Sequence, residues 1–126
     1  MADMYYTEDH EWVKFLEDRK VRIGITEFAQ DELGDIVYVE LPEVDDTFDE
    51  GEEFGTVESV KSVSGIMTPV AGTVVAINET LEDEPELVND DATGEGWLVE
   101  IETGEDVDFA KLLSKEEYDA LTEAEE

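Results

Sequence analysis

Six short apolar runs, each closed by a turn signal, constrain this chain more than any other feature. They are Trp12-Val13-Lys14-Phe15, Val21-Arg22-Ile23-Gly24-Ile25, Ile36-Val37-Tyr38-Val39-Glu40-Leu41, Phe54-Gly55-Thr56-Val57, Thr73-Val74-Val75-Ala76-Ile77 and Trp97-Leu98-Val99-Glu100-Ile101. β-Branched and aromatic residues fill them, and all are short enough for strands. Residues 17–20 read as the turn joining the first two, and Pro42, Gly51, Gly72, Gly94 and Gly96 punctuate the rest. Many short strands with frequent turns predict a small antiparallel sandwich or barrel.

Three helical segments interrupt the strands. Thr26 is an N-cap before 27–33, and Gly34 is a good residue to stop that helix. Residues 106–113 predict a short turn or helix. Near the C-terminus, Ser114 and Glu117 have capping-box spacing, with Leu113 and Tyr118 placed for a hydrophobic staple. The acidic tail, 122–126, is expected to fray.

At 126 residues the expectation is one domain over 1–126. The formal charge of -31 opposes compaction, yet 40% of residues are hydrophobic and the strand pattern is regular, so a folded domain with an acidic coat is expected. Such coats suit concentrated salt, where counterions screen the repulsion, so a halophilic cytoplasm is the expected setting. The same charge argues against nucleic acid and anionic membranes as partners. No apolar run reaches spanning length and the start has no signal-peptide pattern, which predicts a cytoplasmic protein. There is no cysteine, so any redox chemistry would need an attached group.

Against that coat, the stretch VESVKSVSG (57–65) stands out. Between Arg22 and Lys111 lie 26 acids, and Lys61 is the one cation. From Ser59 to Asn78 no acid occurs in twenty residues, whereas acids make up 38 of the 126 residues overall. At that frequency such a window arises by chance less than once in about a thousand, so a cause is required. Burial is one cause; a face kept neutral for docking is another.

Val57 and Val60 before the lysine, and Val63 and Ile66 after it, can anchor two strands around a turn left uncrowded by Ser59 and Ser62. Lys61 would then stand at a hairpin tip. A tip lysine ordinarily aids solubility, but this chain obtains solubility from its acids. A salt bridge to Glu58 would contribute at most about 1 kcal/mol at an exposed site. A presented amine on a rigid turn is what an enzyme attaching a cofactor needs. The segments FGTVESVKS and IMTPVAGTV also echo one another, and two similar hairpins are a further expectation.

The chain resembles the H proteins of the glycine cleavage system along nearly all its length. The resemblance rests on HEWV (10–13), GIT…AQDELGDIVYVELP (24–42), FGTVESVKSVS (54–64), PVAGTVVAIN (69–78), PELVN (85–89) and GEGWLVEI (94–101), all in order. It implies a mostly β fold, a lipoyl-type flattened β-barrel (a barrel-sandwich hybrid) of two antiparallel sheets with short helices and a C-terminal helix. It also implies that Lys61 becomes N6-lipoyllysine, with Glu58, Ser59, Val60, Ser62 and Gly72 as supporting motif; Glu58 and Gly72 would shape the hairpin. The sulfurs would arrive with lipoic acid, and the protein would supply orientation and docking.

A non-enzymatic carrier role follows from the resemblance. The lipoyl group would accept the aminomethyl group of glycine from the glycine decarboxylase (P protein) and pass it to the aminomethyltransferase (T protein). Dihydrolipoyl dehydrogenase (L protein) would then reoxidise it. A lipoate-attaching enzyme is a fourth partner, and a monomer is expected. Glu11 and Glu32 match regions near the cleft that shelters the loaded arm. At 65–68 the chain departs from the family pattern, which would loosen the strand after the turn.

Other readings are weaker on the residues themselves. His10 is the one histidine, and a structural hydrogen bond suits it better than zinc. The acids of 45–53 and the partial calcium-loop match beginning at Asn89 lack EF-hand context, so no metal is expected. A biotinyl domain would place methionines beside the lysine, where Val60 and Ser62 stand. A 2-oxoacid dehydrogenase lipoyl domain would carry a linker and a larger enzyme. No nucleophile–base pair or phosphate-cradling loop suggests an enzyme. A relay that donates lipoate to other lipoyl domains is the alternative carrier role.

Overall fold

The computed structural model describes residues 4–7, 10–16, 19–103 and 112–125. Its strands are β1 (Met4–Tyr6), β2 (Glu11–Phe15), β3 (Lys20–Ile25), β4 (Ile36–Glu40), β5 (Thr47–Phe48), β6 (Glu53–Ser59), β7 (Val63–Met67), β8 (Gly72–Ile77) and β9 (Val99–Glu102). Helices are α1 (Glu27–Leu33), α2 (Thr80–Asp83), α3 (Leu87–Asp90) and α4 (Lys115–Glu125).

The strands form two antiparallel sheets, a six-stranded one ordered β1-β2-β3-β9-β8-β5 and a three-stranded one ordered β4-β6-β7. No ladder joins the two into a closed barrel among the described residues. Alternation explains the layering. Val21, Ile23 and Ile25 in β3, and Val99 and Ile101 in β9, point into a core shared with Ile36, Val57 and Ile66 of the smaller sheet.

A second apolar cluster, of Tyr6, Trp12 and Tyr118, forms where α4 covers the β1–β2 corner. Trp12 faces Gly24 across the β2–β3 ladder. A Cβ on Gly24 would lie 2.6 Å from the indole ring, so glycine is what lets the ring lie flat on the sheet. Helix α4 arrives through a two-way backbone bridge, with Tyr6 N–H donating to Leu113 O at 2.8 Å and Leu113 N–H donating to Tyr6 O at 2.7 Å. The Tyr6 and Tyr118 rings then stack with centroids 4.8 Å apart.

The capping box holds: Ser114 N–H donates to Glu117 Oε1 at 3.0 Å and Glu117 N–H donates to Ser114 Oγ at 3.2 Å. Thr26 caps α1, accepting from Ala29 N–H at 3.2 Å. Helix α4 runs on through 122–125, most of the span expected to fray. Of the segment 106–113, residues 106–111 lie outside the described residues, as do Glu17 and Asp18 of the β2–β3 turn.

The second expected hairpin is absent. After Met67 the chain leaves the three-stranded sheet, and Gly72 begins β8 in the six-stranded one. Thr68, whose hydroxyl donates to Val70 O at 2.6 Å, marks this crossing. Similar residues on both sides of a turn do not decide which sheet the second arm joins.

Candidate functional site

Strands β6 and β7 pair as far as Glu58 and Val63, and the chain reverses through Val60, Lys61 and Ser62 beyond Ser59, the last residue of β6. Ser59 organises the turn. Its N–H donates to Ser62 O at 2.8 Å, and its buried hydroxyl accepts from Lys61 N–H (3.2 Å) and Ser62 N–H (3.1 Å). The hydroxyl thereby takes the place of a backbone carbonyl in closing the turn. Neither Val60 nor Lys61 has a positive φ, so no glycine is required at the tip.

A brace comes from outside the hairpin. Val60 N–H donates to Asp35 O at 3.1 Å, tying the tip to the link between α1 and β4. Lys61 itself is exposed, and its stem lies over Gly34, where an added Cβ would be 3.2 Å from Lys61 Cε. The ammonium makes no ion pair with any described residue. Its neighbours at the tip, Val60 and Val63, are 65% and 62% exposed. Two bare valines are a poor choice for a solubilising tip.

The acid-free stretch is only partly buried. Ser59, Ile66, Thr68, Val70, Val74 and Asn78 are buried, which accounts for part of it. The exposed members include four consecutive residues, 60–63, at the tip. Burial cannot explain those.

Beside the hairpin, α1 and β7 wall a cleft of about 450 Å³, with the end of β2 at its floor. Both cleft candidates line it. Glu11 is 3% exposed and staples the floor, its Oε2 accepting from Met67 N–H at 3.0 Å and its Oε1 from the Thr7 hydroxyl at 3.4 Å. Glu32 is exposed on the α1 wall. Apolar lining comes from Ile25, Phe28, Leu33 and Ile66.

His10 also lines the cleft, with φ at 67°. Its Nδ1 lies 2.8 Å from the Tyr118 hydroxyl, and its ring centroid lies 4.6 Å from that of Phe28. The expected structural role fits this geometry.

The two motif residues expected to shape the hairpin sit in different sheets. Glu58 lies in the row Tyr38–Glu58–Val63 across the three-stranded sheet, beside the hairpin as expected. Gly72 is in β8 of the other sheet, where a Cβ would collide with Glu102 O and Ile101 Cγ2. It permits close strand packing and does not shape the hairpin. The strand after the turn stays paired through 65–67, with a register shift opposite Ile66 and Met67. Residues Gly65, Ile66 and Met67 belong to a paired β7, and the Glu53 carboxylate fills the space above Gly65.

Sequence reasoning missed Gly34 and Asp35, which meet the turn through backbone atoms, and Asn89, whose side chain bonds the residues on either side of Asp35. The one available signal was Gly34 as a helix stop.

Three comparisons extend this picture. A family model described as "Glycine cleavage H-protein" matches residues 4–125. A glycine cleavage system H protein of Listeria monocytogenes is 55% identical over 119 residues, 94% of each chain. A probable glycine cleavage system H protein of Natronomonas pharaonis is 56% identical over 119 residues, covering 94% of this chain and 93% of that one. The crystal structure of a glycine cleavage system H protein from Mycobacterium marinum superposes with a TM-score of 0.88 at 38% identity, covering 98% of both chains.

Proposed function

The chain belongs to the glycine cleavage H-protein family, and on that premise we propose that it is the lipoyl carrier of the glycine cleavage system, with Lys61 as the lipoyl-bearing residue. The observation that carries the assignment is the exposed Lys61 amine on a braced turn, with no carboxylate partner among the described residues. Forming an amide there removes one positive charge. Because the ammonium is in solvent and unpaired with any described carboxylate, that loss leaves no acid stranded in the protein.

The cleft fits the same group. Ile25, Phe28, Leu33 and Ile66 offer apolar contact to an alkyl arm, while Glu11 and Glu32 supply carboxylates suited to a cationic end. When attached, lipoate supplies a disulfide able to take up an aminomethyl group together with two electrons and to be restored by oxidation. The chain's own residues present the amine, order the turn and wall the cleft. The chemistry belongs to the glycine decarboxylase, the aminomethyltransferase, dihydrolipoyl dehydrogenase and the lipoate-attaching enzyme, to which this chain is a shared substrate. Its place is the cytoplasm with those enzymes; no helix among the described residues is long and apolar enough to cross a membrane.

A single-turnover assay tests this role. Lipoylated chain mixed with glycine and the pyridoxal-phosphate glycine decarboxylase is expected to release CO2 in proportion to the carrier supplied. Unlipoylated chain should release only background. Equal release from both forms would remove the carrier role.

A further inference from the structure

Followed inward, the brace on the lysine turn leads to Asn89. Asp35, whose carbonyl accepts from Val60 N–H, is the second residue of the two-residue link between α1 and β4. Gly34 opens that link at φ 85°, its N–H on Gln30 O at 2.9 Å. Ile36 follows it as the first residue of β4. The side chain of Asn89 in α3 grips both ends. Its Oδ1 accepts from Ile36 N–H at 2.8 Å, and its Nδ2 donates to Gly34 O at 2.9 Å and to Gln30 Oε1 at 2.8 Å.

This arrangement is specific to an amide. Rotating the group by half a turn would set Nδ2 against an N–H and Oδ1 against two oxygens, so one orientation alone satisfies all three contacts. An aspartate would keep the Ile36 contact and place an acceptor against Gly34 O. A half-buried clamp that reads both ends of so short a link fixes its position. Gly34 is also the residue beneath Lys61 Cε, and Leu33 before it lines the cleft, so the link connects tip and cleft.

We propose that Asn89 is the positioning residue for the carrier lysine: through Gly34, Asp35 and Ile36 it sets where the hairpin tip stands relative to the cleft. Its functional meaning rests on Lys61 being the lipoyl site; the mechanical link rests on geometry alone.

The test is amide hydrogen exchange on the folded chain and on Asn89→Ala and Asn89→Asp. The Val60 N–H is the reporter. Leu98 N–H and Thr68 N–H, bonded to Ile23 O and Glu52 O, are internal references. Both variants are expected to exchange Val60 roughly tenfold faster, with the references within about twofold of the unaltered chain. For lipoate attachment, KM for the variant chain should rise about fivefold with kcat unchanged.

The aspartate form retains the bond from Ile36 and serves if the alanine form does not fold. Val60 exchange unchanged in a folded variant overturns the proposal. So does equal acceleration at Val60 and both references, which would mark Asn89 as a general stabiliser. An unaltered chain that takes no lipoate at Lys61 refutes the lysine assignment instead, and leaves the exchange prediction standing.

Discussion

Lys61→Arg is expected to abolish lipoate incorporation while leaving the fold intact. Arginine preserves the positive charge and most of the stem, but its guanidinium stays protonated and does not act as an acyl acceptor at neutral pH. Lys61 has no ion pair with a described residue to lose and stands in solvent. Its replacement should therefore move unfolding free energy by no more than about 0.5 kcal/mol. Incubation with a lipoate-attaching enzyme, followed by denaturant titration, reads both quantities. Incorporation into the arginine variant, or a clear loss of stability, would show that the lysine does something other than present an amine.

The largest effect on stability is expected at Trp12. Its side chain is 0% exposed, its indole N–H donates to Ala92 O at 2.9 Å, and its ring lies over Gly24 beside Tyr6 and Tyr118. Trp12→Ala removes the centre of the cluster that docks α4 and leaves the Ala92 carbonyl without that donor. A cost of about 3–5 kcal/mol is expected, a large part of the stability of a domain this size. The loss should appear in denaturant titration at fixed salt. Retention within about 1 kcal/mol would mean that the second cluster does not hold the C-terminal helix.

Much of this was legible in residue order because it is carried by side chains of fixed character. The valines and isoleucines of 21–25 and 99–101 could only be strands with one buried face. Ser114 and Glu117 named their own helix start. The sole cation in an acidic stretch pointed to the hairpin tip, whereas Glu11 and Glu32, which line one cleft, were singled out by the resemblance alone. The short elements were harder. Strands β1 and β5 have three and two residues and exist through their partners. Helices α2 and α3 fall in a stretch where solvated acids obscure the buried Leu81 and Val88. The brace on the turn was invisible for a different reason. Asp35 acts through its carbonyl, an atom every residue has, and Asn89 meets the link under the turn from 28 positions after Lys61 only because α3 folds against α1.

The direct test is the mass of the protein taken from its own lipoate-replete cells, intact and after digestion. A single lipoyl addition is predicted, confined to the peptide containing Lys61. An unmodified Lys61, or a full complement of lipoate on Lys14, Lys20, Lys111 or Lys115 instead, would contradict the account.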